Sequence, residues 1–232
     1  EKIRDIHAEK LLYEIEMPLA GVLADMELYG FRINRAAIRA YGDVLDTVAR
    51  DMEQRIFTYA GKQFNINSPK QLGDVLFEEL MLPTQKKTKT GYSTNAEVLE
   101  KLRKYHPIVE DILEYRQVTK LKSTYADGLL KVADGEGRVH TNFKQTGTAT
   151  GRLSSTDPNL QNIPIRTELG RELRRFFIAK EDHVLLDADY SQIELRLLAD
   201  IAGDEHMREA FISGEDIHTA TAAKVFGVEP ED

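Results

Sequence analysis

Apolar residues recur at helical spacing through most of the first 134 residues. The spacing predicts one helix that ends near Tyr29-Gly30, a second between Asn34 and Gly61, and a third that starts at Ser68-Pro69. After a polar loop, 84–91, the run Thr94-Asn95-Ala96-Glu97 predicts a capping box. A long amphipathic helix is then expected from Pro107 to about Asp134. The first part of the chain is therefore predicted to fold as packed helices.

The pattern changes to alternation and turns in the second half. The run 138–143 alternates like a strand, 173–178 is a second candidate strand, and 183–189 reads as a short buried strand. Between them, 146–164 is rich in Gly, Ser, Asp, Asn and Pro and predicts a long irregular segment. Helices are expected again up to Gly203, from Glu205 to Ile212, and from Asp216 to Phe226. The predicted fold class is α+β.

The charge is unevenly distributed. The formal net charge is −8, yet the segment from Arg116 to Lys180 has twelve Lys or Arg against six Asp or Glu. A local excess of +6 in an acidic chain is a hint of nucleic-acid contact, and the alternative is a cluster of solvated surface charges.

The composition excludes several classes of site. The chain has no cysteine, which rules out disulfides, thiolate zinc sites and a cysteine nucleophile, and makes a reducing cytoplasm the expected compartment. No apolar run is long enough for a membrane span, so no membrane partner is expected. The chain starts at Glu1 without a secretory signal pattern, and we expect an excised fragment.

Two carboxylates stand at the end of the third candidate strand. A period of two would place Asp187 and Asp189 on one face, where hard oxygen ligands suit Mg²⁺. The alternative is that both are solvated acids at a strand end. Ser191-x-x-Glu194 is also typical of a capping box at the start of the next helix.

The run Asp189-Tyr190-Ser191-Gln192-Ile193-Glu194-Leu195-Arg196 resembles motif A of the family A DNA polymerases, of the bacterial DNA polymerase I type. A second block, Thr150-Gly151-Arg152 through Asn162-Ile163-Pro164, is similar to the palm segment of that family that contacts primer-template DNA. Shorter similarities lie at 15–23, 64–76, 120–125 and 216–222. The resemblance extends over nearly the whole chain.

The resemblance implies a role for each matching residue near the nucleotide. Asp189 would be a ligand of both catalytic Mg²⁺ ions, with help from the Tyr190 carbonyl. Glu194 would be a steric gate, a side chain that fills the space a ribonucleotide 2′-hydroxyl needs. His218 would contact the triphosphate of a deoxyribonucleoside triphosphate, and Gln192 would lie in the same nucleotide site.

The resemblance also implies contacts to primer-template duplex DNA. Arg152, Asn159 and Gln161 would face the minor groove, where every correct base pair presents acceptors whatever its sequence. Their alternative is a polar loop capped by its own side chains. The thumb helix would grip phosphates without sequence preference, and the candidates on it are Lys120, Lys122, Ser123 and Thr124. The loop with Lys86, Lys87 and Lys89 belongs to the same subdomain.

The chain departs from the family pattern in three respects. It has neither the finger helix with Arg, Lys and an aromatic residue nor the later His-Asp-Glu motif that supplies a second metal-binding aspartate. Asp187 also stands where relatives usually have a small neutral residue. The resemblance therefore implies a helical thumb, a partial antiparallel-sheet palm and the first helices of the fingers. The predicted divisions are an N-terminal helix at 1–35, thumb at 36–137, partial palm at 138–202 and truncated fingers at 203–232.

Three functions stay open for the chain. The parent would be a DNA-directed DNA polymerase, active in DNA replication and repair in the bacterial cytoplasm, whereas this chain by itself is predicted not to extend primers. Alternatively, the isolated chain is a non-catalytic module that binds duplex DNA without sequence preference. A nuclease built on Asp187 and Asp189 would need a further ligand cluster that the sequence does not indicate.

Overall fold

The computed structural model describes residues 2–83, 87–88, 91–165, 167–214, 216, 219, 221–222 and 227. The chain divides into two compact units, Glu1–His183 and Val184–Asp232. Small antiparallel sheets accompany many helices, which confirms the predicted α+β class. Among the described residues no helix is both long and apolar enough to cross a membrane.

Helices form most of the first unit. They are α1 (Lys2–Asp5), α2 (Met17–Tyr29), α3 (Arg35–Ala60), α4 (Pro69–Asp74), α5 (Ala96–Leu102), α6 (Ile108–Lys120), α7 (Gly128–Val132) and α8 (Glu168–Arg174). π-Helical segments precede α2 (Leu11–Glu16), follow α4 (Val75–Glu79) and join α6 to α7 (Leu121–Asp127). The predicted ends of α3 are confirmed, because the Asn34 side chain accepts a hydrogen bond from the Ala37 N–H and Gly61 adopts the left-handed conformation.

In the described residues, three two-stranded antiparallel sheets accompany these helices. Strand β1 (Phe31–Arg32) pairs with β4 (Arg138–Val139), and β2 (Lys87–Thr88) pairs with β3 (Gly91–Tyr92). Strand β5 (Asn142–Lys144) pairs with β6 (Ser154–Thr156), with Phe143 opposite Ser155. The single predicted strand 138–143 is therefore wrong in detail, since residues 140 and 141 separate two strands that belong to different sheets.

Two core clusters share helices α3 and α6. The first cluster includes Leu45 of α3 and Val118 of α6, and it extends to α7, β4 and α8. The second includes Ile56 of α3 and Ile112 of α6, and it extends to α4 and α5. Helix α3 has 26 residues and is therefore about 39 Å long, which is enough to contribute to both clusters.

Two predicted strands are wrong. Residues 168–174 form α8, because Thr167 caps the helix by accepting from the Gly170 N–H, and only Phe177 makes a β-bridge, with Ile33. The predicted buried strand at 183–189 forms neither a strand nor a core. Val184 is 87% exposed and Leu186 is 90% exposed, and no described strand supplies the backbone partners that this segment needs.

The predicted capping box at Thr94 is also wrong. The N-cap of α5 is Asn95, whose side chain accepts from the Val98 N–H at 2.9 Å. The Thr94 hydroxyl is buried and instead accepts a hydrogen bond from Arg116 of α6. Asparagine is as good an N-cap as threonine, so the helix starts one residue later and Thr94 serves a tertiary contact.

The second unit has two described helices, α9 (Ile193–Ala202) and α10 (Glu205–Ser213), as predicted. Gly203 ends α9 in the left-handed conformation, and the Asp204 side chain caps α10 by accepting from the Met207 N–H. Arg208 pairs with Asp200 at 2.8 Å, and the Arg196 guanidinium lies over the Phe211 ring. The predicted helix from Asp216 to Phe226 lies largely outside the described residues.

His140 joins α2 to the turn before β4. Its Nδ1 lies 2.8 Å from the Glu27 carbonyl and its Nε2 lies 3.2 Å from Asp134 Oδ2. Nδ1 must have a proton to donate to the Glu27 carbonyl. In a neutral ring Nε2 would then present only a lone pair to the Asp134 carboxylate, so the protonated ring is favoured. The bond to the Glu27 carbonyl, together with Asp134, therefore raises the pKa of His140. Backbone bonds from Arg138, with His140, lower the pKa of Asp134.

We expect the stability contributed by His140 to depend on pH. A histidine whose pKa is raised in the folded state contributes its full stabilisation at pH values below its unfolded-state pKa of about 6.5. That stabilisation is lost as the pH rises through its folded-state pKa. The lowered pKa of Asp134 acts in the opposite direction, since its contribution is lost as the pH falls below about 4. Melting temperatures of the chain and of His140→Gln should differ most near pH 5 and converge above about pH 8. An equal difference at both pH values would contradict this reading of the His140 contact.

Candidate nucleic-acid interface

The predicted minor-groove residues of the first unit lie in one segment, 146–164, whose irregular parts flank the short strand β6. Arg152 precedes β6, while Asn159 and Gln161 follow it, and all three side chains are exposed. The Thr148 hydroxyl donates to the Arg152 carbonyl at 2.7 Å, which holds the start of the loop. The structure therefore places all three predicted residues on exposed parts of this loop segment, on either side of β6.

The same loop also uses two of these side chains to hold its own shape. Asn159 Oδ1 accepts the backbone N–H groups of Gln161 at 3.0 Å and Asn162 at 3.2 Å. The Gln161 side-chain amide donates to the Leu153 carbonyl at 3.3 Å. Two of the three side chains therefore cap their own loop, as the alternative interpretation predicted. The DNA contacts of these residues stay a prediction.

A buried tyrosine connects this loop to the predicted thumb helix. The Tyr125 hydroxyl, in the π-helical segment after α6, donates to the Asn162 carbonyl. Burial raises the pKa of Tyr125. Lys120 and Gln161 line one groove of about 710 Å³ between α6 and the segment after Gln161. Tyr125 lies within the amphipathic helix predicted from Pro107 to about Asp134, and helical spacing does not show where its hydroxyl finds an acceptor.

The predicted phosphate contacts of the thumb helix differ in their surroundings. Lys120, Ser123 and Thr124 are exposed, and the Ser123 hydroxyl donates back to the Thr119 carbonyl at 2.8 Å. Lys122 lies 2.7 Å from Asp127 and 3.5 Å from Asp46 of α3. The hydrogen bond to Asp127 is the main reason that the pKa of Lys122 is raised.

We expect Lys120 to contribute more than Lys122 to the salt dependence of duplex binding. Non-specific binding with a few phosphate contacts gives a log–log slope of about −3 to −5, since each neutralised phosphate contributes about −0.9. Lys120→Gln should reduce the steepness of that slope by about 0.9. Lys122→Gln should change it less and should lower the melting temperature, because Asp46 and Asp127 lose their shared cation.

The measurement is fluorescence anisotropy of a labelled duplex between low and physiological salt. Lys131→Gln, at another exposed lysine of the same unit, serves as the control with an unchanged slope. If Lys120→Gln leaves the slope unchanged, Lys120 is not a phosphate contact. The predicted loop lysines Lys86 and Lys89 lie outside the described residues.

The motif A residues of the second unit are solvent-accessible. Asp187, Asp189 and Tyr190 are all exposed. Because the predicted strand is absent, the period-two argument no longer places the two carboxylates on one face. His218, the predicted triphosphate contact, lies outside the described residues.

The predicted capping box at Ser191 is not the start of α9. Gln192 is the N-cap residue, with a φ of 54°, and among the described residues no cap hydrogen bond comes from its side chain. Its amide lies 3.4 Å from Asp216 Oδ1, and Arg196 Nε donates to the Ser191 carbonyl at 2.9 Å. Glu194 is therefore the second helical residue, one position earlier in the helix than a capping box requires.

The carboxylates of motif A could supply part of a metal site. No group of three or more His, Asp or Glu side chains in the described part of the chain is arranged to hold a metal ion. Mg²⁺ at phosphate-transfer sites is commonly held by only one or two carboxylates, with substrate phosphate and water completing its shell. The exposed Asp189 carboxylate fits one such position, and the remaining ligands would come from elsewhere.

Comparisons with known proteins give a consistent result over the whole chain. The sequence profile of DNA polymerase family A matches residues 35–232. The chain is 55% identical over 234 residues to DNA polymerase I of Geobacillus stearothermophilus, covering all of this chain and 27% of that protein. It is 54% identical over 225 residues to DNA polymerase I of Bacillus subtilis, covering 96% of this chain and 26% of that protein.

The fold also matches a solved polymerase structure. The POL domain of Pol1 from M. smegmatis, in complex with DNA primer-template and dNTP, aligns with a TM-score of 0.90 and 43% identity. The match covers 99% of this chain and 41% of that chain. Compared with the two DNA polymerase I sequences above, the chain spans about a quarter of their length. Because the family profile covers most of its residues, the chain belongs to DNA polymerase family A.

Proposed function

We propose that this chain is part of a DNA-directed DNA polymerase that extends a primer by template-directed nucleotidyl transfer. Its proposed partners are primer-template duplex DNA and deoxyribonucleoside triphosphates. The observation that supports this most strongly is the similarity to DNA polymerase I over the full chain, including the motif A run and the loop with Arg152, Asn159 and Gln161. Replication and repair in the bacterial cytoplasm are the corresponding proposed setting.

Asp189 is the proposed catalytic metal ligand, with the Tyr190 carbonyl beside it. Family A polymerases generally use divalent metal ions, and we propose Mg²⁺ here because a carboxylate beside substrate phosphates suits it. Such ions activate the attacking hydroxyl and stabilise charge on the leaving group. Glu194 is proposed to exclude a 2′-hydroxyl, and Gln192 and His218 to border the nucleotide.

The first unit is proposed to hold the duplex. Donors on Arg152, Asn159 and Gln161 would read the purine N3 and pyrimidine O2 acceptors that all correct pairs share. The exposed face with Lys120, Ser123 and Thr124 would contact phosphates, which position the duplex without specifying its sequence. The proposed subdomain limits remain those of the predicted thumb, 36–137, partial palm, 138–202, and fingers, 203–232.

A primer-extension assay tests this proposal. The full-length product of the gene that encodes this chain is incubated with Mg²⁺, labelled primer-template and the four deoxyribonucleoside triphosphates, in parallel with the 232-residue chain. We expect extension by the full-length product. For the chain we expect retention of the duplex in an unchanged form, because its sequence lacks the His-Asp-Glu motif.

The other outcomes separate the remaining readings. Binding without extension by both proteins would favour a duplex-binding module over a polymerase. Shortening of the labelled strand, dependent on Asp187 as well as Asp189, would favour a nuclease. Extension by the purified chain alone would overturn its predicted inactivity, and Asp189→Ala in the same preparation excludes a contaminating polymerase.

A further inference from the structure

A short chain of buried hydroxyl groups links Thr141 to the loop segment that carries Asn159 and Gln161. Thr141, between β4 and β5, is 8% exposed, and Ser155 of β6 is 1% exposed. Their hydroxyl oxygens lie 2.6 Å apart, and Thr141 Oγ1 lies 2.8 Å from the Pro158 carbonyl oxygen. The Leu160 N–H donates to Ser155 Oγ at 3.1 Å.

The shorter distances favour one direction for the protons of these groups. Ser155 Oγ accepts from the Leu160 N–H and has one proton, which it donates to Thr141 Oγ1 at 2.6 Å rather than to the more distant Pro158 carbonyl at 3.3 Å. Thr141 in turn has one proton, and the Pro158 carbonyl at 2.8 Å is its closer carbonyl acceptor, since the Thr156 carbonyl is at 3.1 Å. The bonds therefore run from Leu160 through both hydroxyls and return to the loop at Pro158. Each bond strengthens the next in a buried chain of this kind.

The hydroxyl chain surrounds Asn159, one of the three proposed minor-groove residues. It bonds the residue before Asn159, through the Pro158 carbonyl, and the residue after it, through the Leu160 N–H. The bonds of Asn159 and Gln161 described above shape the loop locally, but they connect it only to itself. Thr141 lies outside the loop, between β4 and β5, and its hydroxyl adds a bond from there to the Pro158 carbonyl next to Asn159.

We propose that Thr141 is a positioning residue for minor-groove reading, acting through Pro158 and Ser155 on Asn159 and Gln161. This inference rests on the proposed polymerase function. A donor must lie within hydrogen-bond distance of the base-pair acceptor, and a misplacement of about 1 Å can cost on the order of 100-fold in rate. Losing the Thr141 hydroxyl therefore weakens the reading of the pair without removing any side chain that touches DNA.

The test uses Thr141→Val in the full-length gene product, with kcat/KM measured on a matched primer end and on one whose terminal purine is a 3-deaza analogue. The analogue lacks the N3 acceptor, so the unsubstituted protein should extend it more slowly. Thr141→Val should lower kcat/KM on the normal primer by up to about 100-fold and lose most of its sensitivity to the analogue. Thr141→Ser, which keeps the hydroxyl, should restore both values.

Thr156→Val is the matched control. The Thr156 hydroxyl is buried on β6, the strand that contains Ser155, and has no hydrogen-bond partner among the described residues. Its removal should therefore leave kcat/KM on both primers unchanged. If Thr141→Val does not fold, Ser155→Ala, which interrupts the same chain from the loop side, is expected to give the same loss of analogue sensitivity. A folded Thr141→Val or Ser155→Ala with undiminished sensitivity overturns the positioning role alone. Failure of the unsubstituted protein to extend the normal primer overturns the proposed function as well.

Discussion

Replacing Asp189 with alanine is expected to abolish primer extension by the full-length gene product. A bound metal ion contributes several kcal/mol of charge stabilisation in the transition state, and each 1.36 kcal/mol is tenfold in rate. Losing its proposed ligand should therefore reduce kcat by about a thousandfold or more. Because Asp189 is exposed, the melting temperature should hardly change. The measurement is single-turnover extension of a labelled primer at saturating nucleotide.

Asp187→Ala is the matched control for this prediction. Both carboxylates are exposed and lie two residues apart in the same segment, so a general effect of losing a negative charge would appear in both variants. We expect Asp187→Ala to extend primers at nearly the unsubstituted rate. Equal losses in the two variants would mean that Asp187 shares the metal, and retained activity in Asp189→Ala would remove Asp189 from the catalytic site.

Replacing Glu194 with alanine is expected to collapse the discrimination between deoxyribonucleotides and ribonucleotides. If this side chain occupies the space of the 2′-hydroxyl, its truncation admits the ribose at little cost to the deoxyribose. A single group that fits or clashes in a pocket is worth about 10- to 200-fold, so the ratio of the two kcat/KM values should fall by that order. Matched deoxy and ribo triphosphates, measured on one primer-template, give the ratio.

The position of Glu194 in α9 separates this role from a purely structural one. As an acid in the first turn, it favours the helix dipole by about 0.3–1 kcal/mol, and Glu194→Ala should lose that stability in either case. Glu205, the first residue of α10, is likewise an acid in the first turn of its helix and provides the control. Glu205→Ala should lower stability similarly with no change in sugar discrimination. An unchanged ratio in Glu194→Ala would leave Glu194 as a helix-stabilising residue only.

Local signals in the sequence were sufficient for most helices of the first unit. Asn34 and Ser68 mark helix starts because their side chains accept hydrogen bonds from the first turn, and Pro69 supplies a fixed φ there. Gly61 marks a helix end because it adopts the left-handed conformation. The strand predicted at 173–178 is wrong because Thr167 is a cap of the same kind, and the run of arginines and leucines that follows it suits a helix equally well.

Tertiary partners limited what the sequence could indicate about the site. The Lys122 interaction with Asp46 crosses from the π-helical segment to α3, and nothing in the spacing of the two residues indicates it. The bond between Thr141 and Pro158 likewise joins positions 17 residues apart. The exposure of Arg152, Asn159 and Gln161 was predictable, since all three lie within the turn-rich segment 146–164, whereas the short strand β6 inside that segment was not.

The two core clusters cannot lose their structure independently, because α3 and α6 belong to both. If the second cluster opens, Ile56 and Ile112 lose their partners, so α3 frays from its C-terminal end and α6 from its N-terminal end. The same two helices support Leu45 and Val118 in the first cluster, which is weakened as well. The first unit should therefore unfold in one cooperative transition. Amide hydrogens in the middle of α3 should exchange only through that global opening, and should be the slowest in the chain.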